Sequence, residues 1–247
     1  MYYRYTIFSN NNLMTDFLRR NEDMSKNDYE TSKQYWNHNF LGQKGNILDG
    51  KWVKEEAFNN LINTYIKKDC DVLDFGCGSG WALIEIFYTV NIHEGLGIDQ
   101  SANAINLLED TIKLSKINHL SFECGDDILL GKYLDKFDSV ISINVLDVIP
   151  DETIKPILLS IKNSMKKDGY LLIGINPDFP KEYLEEKGYQ YQGHYLYKDH
   201  VLRGNIKQKD DWIAMFSQFF KFVEYREFSL TEADRVFPRR MFVMQKH

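Results

Sequence analysis

The stretch from Asp71 to Gly80, Asp-Val-Leu-Asp-Phe-Gly-Cys-Gly-Ser-Gly, constrains the fold more than any other part of the sequence. A short apolar run is followed by three alternating glycines, Gly76, Gly78 and Gly80, and then by a helical pattern over residues 81–90. This order predicts a strand, a tight turn and a helix. Glycines permit positive φ and close ligand approach, and the helix N-terminus presents unpaired N–H groups. The stretch therefore predicts a pocket for a nucleotide-type ligand.

Beyond this stretch, short apolar runs alternate with helical patterns, which is typical of a doubly wound, largely parallel α/β sheet. Further strands are predicted at residues 93–98, 120–124, 137–143, 170–175, 221–228 and 237–245. Helices are predicted at residues 53–67, 101–115, 151–165 and 210–220. Ser101 is the expected N-cap of its helix, and Lys167-Asp168-Gly169 is expected to stop the helix that precedes the fifth strand.

Composition narrows the possible classes of protein. A chain of 247 residues, 43% hydrophobic and 27% charged, suits one large domain or a domain with a cap. The net charge of -6 argues against a nucleic-acid partner. The three cysteines show no metal-ligand spacing, so we expect no metal and a reducing compartment. Residues 1–12 lack a signal-peptide core, and no apolar run approaches the roughly 18 residues of a membrane span, so we expect a cytoplasmic location and no membrane partner.

The glycine spacing distinguishes between cofactors. A dinucleotide fingerprint requires a glycine where Trp81 stands. The pattern here is G-x-G-x-G, preceded by Asp74 at the end of the strand. This pattern resembles motif I of the class I S-adenosylmethionine-dependent methyltransferases. The resemblance implies that the loop wraps the methionine part of that cofactor, through the consecutive residues Asp74, Phe75, Gly76, Cys77 and Gly78.

Three later segments strengthen the resemblance because they follow in the family's order. Asp99, about 20 residues past the loop, is placed with Gln100 to bind the ribose hydroxyls, although an acid at this point also occurs in nicotinamide enzymes and can serve as a helix cap. The acidic segment that follows the third strand, residues 126–128, resembles the family's adenine site. The segment 142–149 resembles its fourth motif, which borders the methionine amine and the methyl group. The residues implied in these two segments are Asp126, Asp127, Ile128, Asn144 and Val145.

The resemblance also implies a Rossmann-like, seven-stranded sheet that is mostly parallel with an antiparallel last strand. Residues 1–50 are expected to form an N-terminal helical cap, and residues 51–247 the methyltransferase domain. Tyr29, Lys33, Trp36 and Phe40 recur at helical spacing, so Trp36 is a candidate cofactor contact or a residue that only packs the cap. An insertion at about 177–208 contains alternating tyrosines, typical of a hairpin, which either line an acceptor pocket or simply pack. Asn176-Pro177-Asp178-Phe179 is interpreted as a turn.

The chemistry follows from the implied cofactor, S-adenosylmethionine. A sulfonium methyl is strongly electrophilic, so the protein mainly aligns the nucleophile and needs a base only for a protonated acceptor. The candidate bases are His194, His200 and Asp147, each with an ordinary structural interpretation as well. The expected function is methyl transfer to a small-molecule acceptor. A non-catalytic S-adenosylmethionine-binding module and a nicotinamide-dependent oxidoreductase stay open as alternatives, and the acceptor atom and oligomeric state are not specified.

Overall fold

A computed structural model describes residues 26–48, 56–229 and 236–247. Its helices are α1 (residues 26–39), α2 (Glu56–Tyr65), α3 (Trp81–Val90), α4 (Ala102–Ser115), α5 (Asp151–Ser164), α6 (Lys181–Glu186) and α7 (Lys209–Phe216). Its strands are β1 (Asp71–Phe75), β2 (Glu94–Asp99), β3 (Leu120–Cys124), β4 (Phe137–Ile143), β5 (Met165–Ile175), β6 (Gln190–Gln192), β7 (Tyr195–Lys198), β8 (Val201–Asn205), β9 (Lys221–Phe228) and β10 (Arg239–Gln245).

Seven of these strands form one sheet in the order β3-β2-β1-β4-β5-β10-β9. Strands β1 to β5 pair in parallel, and β10 runs antiparallel to both β5 and β9. The predicted doubly wound, seven-stranded sheet with an antiparallel last strand is therefore confirmed. Strand β1 lies in the middle, and apolar clusters cover both of its faces through Leu73 on one side and Val72 on the other. The loop that follows β1 consequently opens at the carboxyl edge of a rigid sheet.

The stop predicted for helix α5 is wrong. Helix α5 stops at Ser164, and β5 begins at Met165, so Lys167-Asp168-Gly169 lies inside the strand. Met165 closes the helix because its N–H donates to the carbonyls of the last turn, and it pairs with Phe137 of β4. The register then shifts, and Asp168 takes a positive φ of 62°. The Lys-Asp-Gly turn is therefore an irregularity within a strand, not a helix stop.

Two additions to the sheet shape its carboxyl edge. Helix α1 occupies the predicted cap region, of which residues 1–25 and 49–50 lie outside the described part, as does the start of the helix predicted at 53–67. After β5, strands β6, β7 and β8 form a separate antiparallel meander, here called the insertion meander (residues 190–205). The predicted hairpin is confirmed as β6 and β7, whereas β8 was not predicted. In the described part of the chain, no helix is long and apolar enough to cross a membrane.

Candidate functional site

The loop after β1 adopts a conformation that requires its glycines. Gly76, Gly78 and Gly80 have φ values of +74°, +50° and +72°, in the left-handed region that side chains rarely adopt. A Cβ at Gly76 would overlap Val145, the second residue after β4. The loop is tied to β2, since the Gly76 N–H donates to the Ile98 carbonyl at 2.7 Å. Glycine is thus required by backbone conformation at all three positions, and a Cβ would also overlap a neighbouring side chain at Gly76 and at Gly80.

A cavity opens above this loop at the carboxyl edge of the sheet. Its walls come from the loop after β1, from the ends of β2, β3 and β4, and from one face of α1. Most of the cofactor residues implied by the resemblance are brought together here. The lining includes Phe75, Gly76, Cys77, Gly78, Asp99, Gln100, Asp126, Asn144, Val145 and Trp36. Asp74, Asp127 and Ile128 are not among the lining residues.

Asp99 connects the loop to the next helix. One carboxylate oxygen accepts the Gly78 N–H and the other accepts the Ser101 N–H, each at 2.8 Å. Burial raises the pKa of Asp99, while these two hydrogen bonds act in the opposite direction. Ser101 caps α4 by accepting the Ala104 N–H, as predicted. Asp99 therefore holds the loop in place and leaves further lone pairs for ligand hydroxyls.

Asp74 lies beneath the loop. It is 2% exposed, and burial together with the nearby Asp99 carboxylate raises its pKa to about 8. The backbone of Leu83, in the first turn of α3, hydrogen-bonds to this carboxyl. Its Oδ2 has no hydrogen-bond partner among the described residues. Asp74 consequently supports the start of α3.

The two acids in the segment after β3, Asp126 and Asp127, have different surroundings. Asp126 lines the cavity, and its Oδ1 accepts the Ile128 N–H at 3.1 Å. The Ile128 side chain is 82% exposed and does not line the cavity. Asp127 accepts the Ser160 hydroxyl of α5 at 3.3 Å, and burial raises its pKa. Asp126 is the acid of this segment that faces the cavity.

Several polar atoms at the cavity are buried without a partner among the described residues. They are Asn144 Oδ1, Gln100 Oε1 and Trp36 Nε1. Unpaired buried amide oxygens favour a ligand that carries hydrogen-bond donors, such as an ammonium or hydroxyl groups. Two carboxylates line the described cavity, whereas lysine, arginine and histidine do not. A cationic sulfonium with an ammonium and a ribose fits these acceptor oxygens, and a dinucleotide pyrophosphate fits them poorly.

Helix α1 covers the cavity with the residues Tyr29, Ser32, Trp36 and Phe40 at helical spacing. The sequence pattern suggested Lys33 in this face, but Ser32 lines the cavity instead and lies 1% exposed. Burial raises the pKa of Tyr29 to about 12, with a further contribution from Asp126. Tyr29 therefore stays protonated near neutral pH.

The three candidate bases do not meet in this cavity. His194 lies about half exposed and contacts Asp151 at 3.3 Å, while His200 is exposed in the turn between β7 and β8. Asp147 is buried, its Oδ2 accepts the Asn176 N–H at 2.8 Å, and burial raises its pKa. None of these residues belongs to the described lining. Their catalytic role stays a prediction.

Other cavity residues were missed in the sequence. Val148 and Ile149 lie in the segment that resembles the fourth motif, and that pattern was a usable signal. Ile157 of α5 gave no signal, because facing a cavity depends on how the helix packs. The insertion meander does not line the cavity. It instead contacts α1 and the chain after β4, on the same edge of the sheet.

Comparisons with known proteins agree with this geometry. The family model for a methyltransferase domain matches residues 66–218. EEF1A lysine methyltransferase 2 of Homo sapiens is 32% identical over 134 residues, covering 49% of this chain and 56% of that protein. A ribosomal protein L11 methyltransferase of Acetivibrio thermocellus is 29% identical, covering 53% and 40% respectively. The chain thus spans about half the length of these relatives.

Solved structures share the fold. An S-adenosylmethionine-dependent methyltransferase from Methanosarcina mazei aligns with a TM-score of 0.63 at 18% identity, covering 75% of this chain and 96% of that one. The PH0226 protein from Pyrococcus horikoshii aligns with a TM-score of 0.63 at 18% identity, covering 78% and 89%. The family match covers more than half of the chain, and the sheet order and glycine loop agree with it. The chain therefore belongs to the class I S-adenosylmethionine-dependent methyltransferase family.

Proposed function

We propose that this protein transfers a methyl group from S-adenosylmethionine to a small-molecule acceptor. The observation that carries the proposal is the cavity between the glycine loop and α1, which combines carboxylates with unpaired amide oxygens and is covered by a helix. Donor-rich, cationic ligands suit such a lining. A covered cavity admits a compact acceptor more readily than a folded protein surface.

The residues of this chain have distinct parts in holding the cofactor. Gly76 and Gly78 allow the ligand to lie against the backbone, and Asp99 accepts from ribose hydroxyls. Asn144 Oδ1, which has no partner among the described residues, would accept from the methionine ammonium, and Asp126 would accept from the adenine amine. When bound, S-adenosylmethionine supplies an electrophilic methyl group. The chain then has to orient the acceptor and exclude water from the cavity.

The lining argues for alignment rather than base catalysis. Tyr29 has a pKa raised to about 12, and burial raises the pKa of Cys77 further above its ordinary value. Neither group is a base near neutral pH. An acceptor that already carries a free lone pair, such as a neutral amine or a thiolate, needs no protein base. We therefore favour acceptors of this kind over alcohols.

A protein acceptor is the second candidate. It rests on the relatives, one named as a lysine methyltransferase of EEF1A and others as methyltransferases of ribosomal protein L11. The two matches described above span 56% and 40% of those relatives' lengths. Helix α1 and the insertion meander occupy the edge of the sheet where a protein acceptor would approach. The small-molecule acceptor is therefore preferred.

Two measurements test the proposal. Titration calorimetry should show binding of S-adenosylmethionine or S-adenosylhomocysteine and none of NAD; the reverse preference would restore the oxidoreductase alternative. The protein is then incubated with methyl-labelled S-adenosylmethionine and a cell extract separated into dialysable and macromolecular fractions. Label in the dialysable fraction supports a small acceptor, whereas label only in protein supports the second candidate. Cofactor binding with no transfer to either fraction would favour a non-catalytic module.

A further inference from the structure

Helix α1 is held over the cavity from two sides. On one side, Asn37 is fixed to the start of α4: the Ser101 hydroxyl donates to Asn37 Oδ1 at 2.9 Å, and Asn103 Nδ2 donates to the Asn37 carbonyl at 2.9 Å. On the other side, the helix contacts the insertion meander through Asp28 and Tyr35. Three of the residues that face the cavity, Tyr29, Ser32 and Trp36, lie between Asp28 and Asn37 in the sequence.

From this geometry we propose that Arg203 and Tyr197 of the insertion meander are positioning residues, which fix α1 and thereby Trp36 over the cavity. Neither residue lines the cavity, so both act through the helix. The inference rests on the proposed function, because it assigns the meander to the acceptor side of that site. It replaces the expectation that the tyrosines of this segment form a pocket wall.

The Arg203 contact is a stack. Its guanidinium carbon lies 3.7 Å from the centroid of the Tyr35 ring and 5.6 Å from that of Trp36. The two rings are themselves arranged edge to face, with centroids 5.2 Å apart. A planar guanidinium that lies against an aromatic face is attracted to the ring and limits the rotation of the aromatic side chain. Because Trp36 also lines the cavity, Arg203 fixes the orientation of a cavity side chain without touching the ligand.

The Tyr197 contact anchors the beginning of the helix. Its hydroxyl donates to Asp28 Oδ2 at 2.7 Å, in a charge-assisted hydrogen bond between residues 169 positions apart. Tyr197 lies 8% exposed, so its ring is fixed by packing within the meander. The bond therefore transfers the position of the meander to α1, one turn before Ser32 enters the cavity.

The meander has its own attachment to the cavity wall. Asn205 Nδ2 donates to the Ile149 carbonyl at 3.1 Å and to Asp151, and Lys207 pairs with Asp151 at 2.8 Å. Leu196 and Leu202 are buried within it. Because these contacts do not involve Arg203 or the Tyr197 hydroxyl, changing those groups should loosen α1 and leave the meander folded.

Hydrogen exchange of the full-length protein without ligand tests the proposal. Arg203→Met keeps the aliphatic stem and removes the stacking cation, and Tyr197→Phe removes only the hydroxyl. We expect each to speed exchange in residues 26–39 by roughly fivefold, with little change in residues 190–205. Arg203→Lys should recover part of the protection. The matched control is Lys198→Met, which removes a cation that lies 5.1 Å from the centroid of the Tyr189 ring, next to the meander, and should not affect α1.

Three results overturn the proposal. Exchange in residues 26–39 that matches the Lys198→Met control would show that the helix does not depend on Arg203. Equal loss of protection in the meander would show that Arg203 is a folding residue. Unchanged exchange of residues 26–39 in Tyr197→Phe would exclude the hydrogen bond to Asp28 as an anchor of the helix. If the unchanged protein does not bind S-adenosylhomocysteine, the proposed function fails, while the exchange data still decide the positioning role.

Discussion

Replacing Gly78 separates two physical reasons for a glycine at this position, namely backbone conformation and ligand access. Its φ is +50°, and a Cβ there would lie 3.4 Å from Phe40 Cζ, an ordinary contact distance. Gly78→Val should therefore cost stability through backbone strain alone, on the order of 1–2 kcal/mol. That corresponds to a fall in melting temperature of about 2–8 °C for a chain of this size. The new side chain would extend into the cavity.

Gly188 provides the matched control. It has a φ of +82° with open space around the position of a Cβ, and it does not line the cavity. Gly188→Val should show a similar fall in melting temperature with unchanged ligand binding. Gly78→Val should in addition weaken binding of S-adenosylhomocysteine by about 5- to 150-fold, the equivalent of 1–3 kcal/mol of overpacking.

The assay is titration calorimetry with S-adenosylhomocysteine, alongside thermal unfolding and circular dichroism of both variants. Normal affinity in a natively folded Gly78→Val protein would refute the idea that the ligand lies against this backbone. A loss of affinity in Gly188→Val of similar size would attribute the effect to general destabilisation instead. The comparison is informative because both positions carry the same backbone penalty.

Three further changes test other parts of the site. Asp99→Ala should weaken S-adenosylhomocysteine binding by about 1.5–3 kcal/mol, and unchanged affinity in calorimetry would remove the ribose assignment. The pKa of Asp74 is raised to about 8 in the folded chain, so the folded state binds more protons than the unfolded state between about pH 4 and pH 8. The free energy of unfolding should therefore fall as the pH rises through this range. Asp74→Asn should abolish that part of the pH dependence, measured by denaturant titration. Replacing residues 189–203 with a Gly/Ser link should leave cofactor affinity within a few-fold but abolish methyl transfer, and retained transfer would exclude the meander from the acceptor side.

The sequence predicts the sheet well because the signal is local. The strands at residues 120–124, 137–143 and 221–228 match the structure residue for residue, since apolar runs bounded by turns mark them. The sequence also predicts the glycine loop, because a positive φ at alternate positions strongly favours glycine there. The end of α5 was misread because pairing between Met165 and Phe137, a contact across the sheet, overrides the Lys-Asp-Gly turn.

The cover of the site depends on contacts that no local pattern contains. Tyr197 meets Asp28 across 169 positions, and Asn205 meets Ile149 across 56. The alternating tyrosines predicted a hairpin correctly, but not that their hydroxyls would point to α1 and to the start of α5. Tyr195, for example, accepts the Asp151 N–H at 3.1 Å. Such pairings follow from how the insertion folds back on the sheet edge.

A continuous path of hydrogen bonds links the glycine loop to the cover. Asp99 accepts from Gly78 and from Ser101, and the Ser101 hydroxyl in turn donates to Asn37 of α1. The Asp99 carboxylate, which we assign to the ribose, is therefore connected through Ser101 to the helix that covers the cavity. A ribose held by Asp99, as we propose, would stiffen the same carboxylate that positions Ser101. Ligand binding should accordingly protect the Asn37 end of α1 from exchange more than the Asp28 end, where the insertion meander provides the attachment.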